Sequence, residues 1–163
     1  MLKILLKVLL INLLFTPFIY AIAPPFGLQW GMTQKQIEAQ GMKILPAKKE
    51  STITQYVLQG VKGAPYPNNA RYFITFDPYG KLNLISIKIS LQKVNPSEEA
   101  GAIEKQLSDQ YGNPTFISTG SKPSLGEYRY VNWGTPIDGY IAYTYSVAPE
   151  EVTIAYFGPE NTK

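Results

Sequence analysis

The segment LNLISIKISLQ, residues 82–92, restricts the fold more than any other stretch because its hydrophobicity alternates with a period of two. From Ile85 to Leu91 every second residue is apolar, and the residues between them are polar. This period is that of a β-strand with one buried face and one face toward water. Leu82 and Leu84 have the opposite parity, which predicts a β-bulge near Leu84. We therefore expect a sheet that is covered on one side.

Further segments have the alternation and the β-branched and aromatic content of strands. They are residues 52–59, 70–77, 125–133, 139–147 and 151–158. The sequence DPYG at 77–80 has proline at the second position of a turn, which predicts a hairpin. Glycine, proline and asparagine dominate residues 62–69, and we expect an exposed loop there.

A short helix is predicted over residues 34–40 from the signals at its two ends. Thr33 is a good N-cap, and Gln36 lies three residues later, as in a capping box. Gly41 supplies the stop. The segment therefore marks the start of a domain and not a reactive centre.

A longer helix is predicted within residues 95–114. Asn95 is the expected cap, Pro96 takes the first helical position, and Glu98 is the expected capping-box partner. The apolar residues recur at helical spacing and form one stripe. They are Ala100, Ile103, Leu107 and Tyr111. We expect this stripe to lie across one face of a sheet.

These elements predict an α+β fold. We expect an antiparallel sheet of about six strands with both helices packed on one of its faces. The order αβββ followed by αβββ is that of two half-repeats, over 28–92 and 95–158. The length after a leader segment suits one domain, which we place over 24–163.

Residues 1–23 have the order of a secretory signal peptide: a basic start, an apolar run and small residues at the end. Cleavage after Ala21 or after Ala23 fits this pattern. The competing interpretation is a membrane anchor, but Lys7 and Pro17 shorten the run below the roughly 20 apolar residues that a spanning helix needs. We therefore expect a periplasmic or secreted protein with no stable membrane anchor after cleavage.

Residue types missing from the chain exclude several chemistries. It has no cysteine, so disulfides and thiol nucleophiles are excluded. It has no histidine, so a serine or cysteine nucleophile would lack its usual base, and a zinc site would need carboxylates alone. Neither a glycine-rich phosphate loop nor a calcium-loop spacing occurs. We expect no catalytic residues, no metal and no cofactor.

One enzymatic alternative remains. Glu127 and Asp138 flank the aromatic strands and would act as acid and base if their carboxyl groups converged within about 10 Å. Carboxylates near turns are more often solvated, so we expect a protein that is not an enzyme.

The charge pattern argues against nucleic acid as a partner. Lys and Arg number 15 against 12 Asp and Glu, and removing the two lysines of the leader segment leaves 13 against 12. The one basic cluster, Lys43, Lys48 and Lys49, is interrupted by apolar residues and predicts a solvated loop.

Aromatic residues concentrate in the last third of the chain. The candidate binding residues are Tyr128, Arg129, Tyr130, Trp133, Tyr140, Tyr143 and Tyr145. Aromatic residues in sheets often fill the core and form cross-strand pairs. Tyrosine, tryptophan and arginine are also enriched in interface hot spots. Because both strand parities are populated, some rings must lie on the face without helices, which is the candidate contact surface.

The start WGMTQKQIEAQG and the helix end LSDQYGNPT resemble the small outer-membrane assembly family (BamE/SmpA-like). The expected architecture is similar to that of the β-lactamase inhibitory protein, in which two αβ repeats form one sheet. The W-G-M-T form is also similar to secreted bacterial proteins of unassigned function. The resemblance implies a non-catalytic protein-binding domain in the bacterial envelope. The assembly family is lipid-anchored through a cysteine, which this chain lacks.

We therefore expect a non-catalytic periplasmic or secreted module that binds an envelope or secreted protein, as an inhibitor, an immunity protein or an envelope accessory factor does. The alternative is a protein that binds a small molecule or a glycan through an aromatic sheet face. A pocket walled by Trp133 and Tyr140 would favour this alternative.

Overall fold

The computed structural model describes residues 22–47, 54–92 and 94–160. Within these ranges the chain forms two helices and eight strands. The helices are α1 (Gln34–Glu38) and α2 (Pro96–Tyr111). The strands are β1 (Lys43–Pro46), β2 (Gln55–Gln59), β3 (Arg71–Phe76), β4 (Leu82–Ser90), β5 (Phe116–Lys122), β6 (Gly126–Thr135), β7 (Gly139–Val147) and β8 (Glu150–Phe157). No helix of this part of the chain is long and apolar enough to cross a membrane. The predicted signal peptide lies outside the described residues except for its last two.

All eight strands belong to one antiparallel sheet, in the order β1-β2-β3-β4-β8-β7-β6-β5. Each half of the chain contributes four consecutive strands, which pair as neighbours. The two halves meet where β4 pairs with β8 along seven residues of each strand. Because this central pair is continuous, the halves share one sheet.

The predicted fold of about six strands with two helices packed on one face is wrong. The described part of the chain is mostly sheet, with eight strands, and α1 is only five residues long. The half-repeat αβββ is also wrong, since one helix and four strands make up each half. Strands β1 and β5 were not predicted from the sequence, for different reasons. Lys43 begins β1 where a solvated loop was predicted, and Lys48 and Lys49 lie outside the described residues. The edge strand β5 is exposed at nearly every position, so its sequence carries no alternation.

The capping box at the start of α1 is confirmed. The Thr33 backbone N–H donates to Gln36 Oε1 at 2.8 Å, and the Gln36 N–H donates to Thr33 Oγ1 at 3.4 Å. Asn95 is the N-cap residue of α2, as predicted, but its side chain makes no cap hydrogen bond to a helix N–H. It accepts a hydrogen bond from Ser97 Oγ at 2.7 Å instead. Pro96 begins the helix as predicted.

The bulge predicted near Leu84 is confirmed. Leu84 lies opposite Thr75, whereas Leu82 lies opposite Phe76, so Asn83 is the extra residue. The bulge changes the parity of the strand. Leu82 is therefore 1% exposed on the core side, although the alternation alone would turn it outward.

The strands contribute to the hydrophobic core from one face of the sheet only. This covered face holds the fully buried isoleucines of β3, β4, β7 and β8, together with Trp133 and Tyr143. Helix α2 packs on it and buries Ala100, Ile103 and Leu107. The opposite side chains form what we call the open face, which supplies no strand residue to this core.

Candidate functional site

The structure divides the seven candidate binding residues between the two faces. The ladder pairs Tyr145 with Arg129, and Ile141 with Trp133, so these residues share the covered face with Tyr143. Tyr128 pairs with Ser146, Tyr130 with Thr144, and Gly134 with Tyr140, and these residues lie on the open face. The four residues of the covered face are Arg129, Trp133, Tyr143 and Tyr145, and the three of the open face are Tyr128, Tyr130 and Tyr140. The parity of each strand was readable in the sequence, but the side that α2 would cover was not.

Trp133 and Tyr143 are core residues, each 1% exposed. Both hold α2 against the sheet. The Trp133 indole N–H donates to the carbonyl of Gly112, just beyond the helix end, at 3.0 Å. The Tyr143 hydroxyl donates to the carbonyl of Ala100 at 2.9 Å. Burial raises the pKa of Tyr143 well above its usual range, so this hydroxyl remains a donor even in alkaline solution.

Arg129 joins the same helix to β6 through a charged pair. Its Nε donates to Glu104 Oε2 at 2.6 Å, and a second guanidinium nitrogen donates to Oε1 at 2.7 Å. The hydrogen bonds that Arg129 donates to the Glu104 carboxylate raise the pKa of Arg129 above its usual value. Such a two-point pair fixes geometry as well as charge. The positive charge of Arg129 and the negative charge of Glu104 therefore cancel within the pair.

The open face carries aromatic side chains on its outer and central strands. The rings of Tyr140 and Phe157 are stacked with centres 4.3 Å apart. The rings of Phe116 and Tyr130 pack in a T-shaped arrangement with centres 6.1 Å apart. Burial raises the pKa of Tyr140. On the other half of the sheet, Phe73 has the open-face parity because it pairs with Ser86 and Val57. Phe73 was not among the predicted contact residues, because the predicted aromatic surface lay in the last third of the chain.

The middle of the open face is polar and has small side chains. Glu151 on β8 lies 3.6 Å from Arg71 and 3.8 Å from Lys88, so one carboxylate faces two cations. Ser86 and Ala142 lie low on the sheet, 5% and 7% exposed, beneath the larger residues around them. The open face therefore carries aromatic rings on both halves of the sheet, beside a charged cluster on β3, β4 and β8.

Three tyrosines, the buried Tyr156 and the partly buried Tyr66 and Tyr111, form a cluster on the covered face near the middle of the sheet. The hydroxyl groups of Tyr66 and Tyr156 share a hydrogen bond of 2.9 Å. The rings of Tyr111 and Tyr156 pack in a T-shaped arrangement with centres 6.4 Å apart. Burial raises the pKa of Tyr66 to about 12. Burial, with Tyr66 close by, also raises that of Tyr156. The cluster therefore ties the loop containing Tyr66 to the sheet.

The described chain begins with a residue that is built into the domain. The Ile22 N–H donates to the carbonyl of Asp138 at 3.1 Å, and its carbonyl accepts the indole N–H of Trp30 at 2.7 Å. Ile22 also packs against the hydrophobic core.

The residues of the two alternatives do not come together. Trp133 and Tyr140 lie on opposite faces and wall no common pocket. Glu127 is the second residue of β6, whereas Asp138 lies beyond the far end of that strand, and the intervening part of the strand spans roughly 27 Å. The distance of about 10 Å that an acid–base pair needs is exceeded.

Comparisons of the chain with protein-family models, with curated proteins and with solved structures found no match. The function is therefore inferred from the geometry of the covered face and the open face.

Proposed function

We propose that this chain is a non-catalytic protein-binding module of the periplasm or the extracellular space, and that a protein partner docks on its open face. The single observation that carries the proposal is the one-sided core. All strand residues of the core lie on the covered face, which leaves the opposite face of an eight-stranded sheet outside the core. A contiguous surface with large apolar side chains is typical of a contact site.

The size of the open face suits a protein better than a small ligand. Eight strands about 4.8 Å apart make the sheet roughly 38 Å wide. At roughly 24 Å along an average strand, the face offers on the order of 900 Å², close to the roughly 800 Å² that each partner contributes to a standard interface. A glycan or a small molecule would cover only a fraction of it.

The composition of the open face also favours a protein partner. Tyr130, Tyr140 and Phe157 are large rings with restricted rotamers, which supply much of the binding energy in many interfaces. Arg71 and Lys88 face the single carboxylate of Glu151 in the centre, an excess of one positive charge. We expect a partner with an apolar surface that surrounds an acidic side chain. The resemblance to protein-binding domains of the bacterial envelope supports the same class of function.

The proposal is tested by capture of the partner from native envelope extracts with the tagged, exported chain. The open-face variants Phe73→Ser and Tyr130→Ser lie on opposite halves of the sheet, and each should reduce the recovered partner at least about tenfold. Tyr79→Ser is the matched control, because Tyr79 is 85% exposed in the β3–β4 turn and away from the face. Thermal unfolding of each variant shows whether the fold is retained.

Recovery of the same partner by folded open-face variants would contradict the proposal. Loss of the partner with Tyr79→Ser alone would move the contact to the turn and would contradict it too.

A further inference from the structure

The two edges of the sheet differ in how well they are protected. Strand β5 is at one edge, and among the described residues no strand pairs with its outer side. Alternate residues of an edge strand direct their N–H and C=O groups away from the sheet, where they are free to pair with another chain. In β5 this free row extends over seven residues.

Strand β1, at the other edge, has the usual protection. It is four residues long, starts with Lys43 and ends with Pro46, which has no N–H to offer. Strand β5 has no proline inside it, since Pro114 and Pro123 lie just beyond its ends. Its one charged residue is Lys122, at its last position. The sequence therefore leaves the β5 edge open along most of its length.

A cavity of about 570 Å³ adjoins this edge on the covered face. It lies between the first half of α2 and strands β5, β6 and β7, and Ala100, Gly101, Tyr145 and Val147 contribute to its walls. The helix is held to β6 and β7 and does not cover β5, whose residues on this face, Ile117, Thr119 and Ser121, are exposed. The cavity therefore opens toward the free edge.

The inner wall of the cavity is suited to a neutral group, because the residues of α2 and β7 there include the buried Ala100 and Tyr143. The charges of Glu104 and Arg129 at its wall satisfy each other at 2.6 Å. Glu127 is the remaining charged residue of the lining and is exposed near the start of β6, so a charged group that passes it into the inner part of the cavity would have to break the Glu104–Arg129 pair or remain unpaired. An apolar side chain meets alanine, valine and tyrosine surfaces instead.

We infer that β5 binds an extended peptide segment of a partner protein, which adds to the sheet as a ninth strand and places a large apolar side chain in the cavity below α2. Free main-chain groups would provide the affinity, and the cavity would select the side chain, as in other cases of strand addition. The inference is separate from the open face, since the cavity is on the other side of the sheet.

A second copy of this chain is a weaker candidate for the same edge. A seven-residue strand is roughly 24 Å long, and two such edges bury far less than the roughly 800 Å² per partner of a stable interface. A short peptide needs no larger area, because its remaining residues stay in solvent.

The inference is tested with a library of random peptides displayed on phage and selected against the immobilised mature chain. We expect enriched peptides with an alternating pattern and one large apolar residue. N-methylation of alternate residues of the best synthetic peptide removes main-chain donors and should abolish binding. The amide resonances that shift on titration should be those of β5 and of the first half of α2.

One variant fills the cavity from the helix. A Cβ at Gly101 meets no atom within 4 Å, so Gly101→Leu projects into open space and also removes a glycine from a helix interior. The variant should lower the affinity for the peptide at least about tenfold without loss of the protein's own stability. The matched control is Ala102→Leu, which places the same leucine side chain at an exposed position of α2 that does not line the cavity.

Three results would overturn the inference: no enrichment, peptides that bind Gly101→Leu as well as the wild type, or a dimer in solution that Thr119→Pro converts to a monomer. Phe73→Ser on the open face should leave peptide binding unchanged, so failure of this inference is distinguishable from failure of the proposed function.

Discussion

The one-sided core makes a sharp prediction for two adjacent residues of β4. Ile87 is 0% exposed on the covered face, between Tyr72 of β3 and Ile154 of β8. Its neighbour Lys88 points to the open face, where its side chain is 38% exposed. Ile87→Ala removes three carbons at about 0.8 kcal/mol each, or about 2.4 kcal/mol in total. A residual cavity of roughly 60 Å³ adds about 1.4 kcal/mol, so the expected loss is about 4 kcal/mol.

The variant Lys88→Ala should behave quite differently. It removes only a partly exposed ion pair with Glu151 at 3.8 Å, and such pairs contribute about 0–1 kcal/mol. Urea unfolding of the mature domain measures both free energies. With a slope of about 2 kcal/mol per molar urea, the midpoint should fall by about 2 M for Ile87→Ala and by less than about 0.5 M for Lys88→Ala. Equal losses for the two variants would refute the assignment of the faces.

Further predictions concern single groups of the covered face and the start of the mature chain. Tyr143→Phe removes the hydrogen bond to the Ala100 carbonyl and should lower the free energy of unfolding by about 1 kcal/mol, measured by urea unfolding. Because burial raises the pKa of Tyr66 to about 12, the unfolded chain loses this proton first, and stability should fall as the pH rises from about 10 to about 12. Tyr66→Phe should lessen that fall in urea unfolding at stepped pH, and an unchanged fall would contradict the burial of its hydroxyl. Since the N–H and the carbonyl of Ile22 are both bonded within the domain, cleavage after Ala21 is expected, and a mature mass that begins at residue 24 would contradict it.

Local signals were sufficient where neighbouring residues determine the structure. The Thr33–Gln36 capping box and the Leu84 bulge depend on spacing and parity within one element, and both were readable in the sequence. The Asp77–Gly80 turn is another such case: the Asp77 side chain accepts the backbone N–H groups of Tyr79 and Lys81. Such features need no knowledge of distant contacts.

Features that depend on distant contacts were not readable. Strand β5 forms only because β6 provides a ladder for it, and its own residues are nearly all exposed. The central pairing of β4 with β8 joins segments more than 60 residues apart, and no local pattern encodes it. The division of the aromatic residues followed from this topology and from the side on which α2 packs. The sequence therefore predicted a contact face but assigned core residues, Trp133 and Tyr143, to the same candidate set.

The most direct test of the central claim, that the open face is the surface offered to a partner, is hydroxyl-radical footprinting of the exported chain, isolated and in native envelope. We predict that Phe73, Tyr130 and Tyr140 are oxidised in the isolated domain and protected in the envelope, while the buried Trp133 stays unmodified in both. Equal oxidation of the open-face rings in the two samples would contradict the claim.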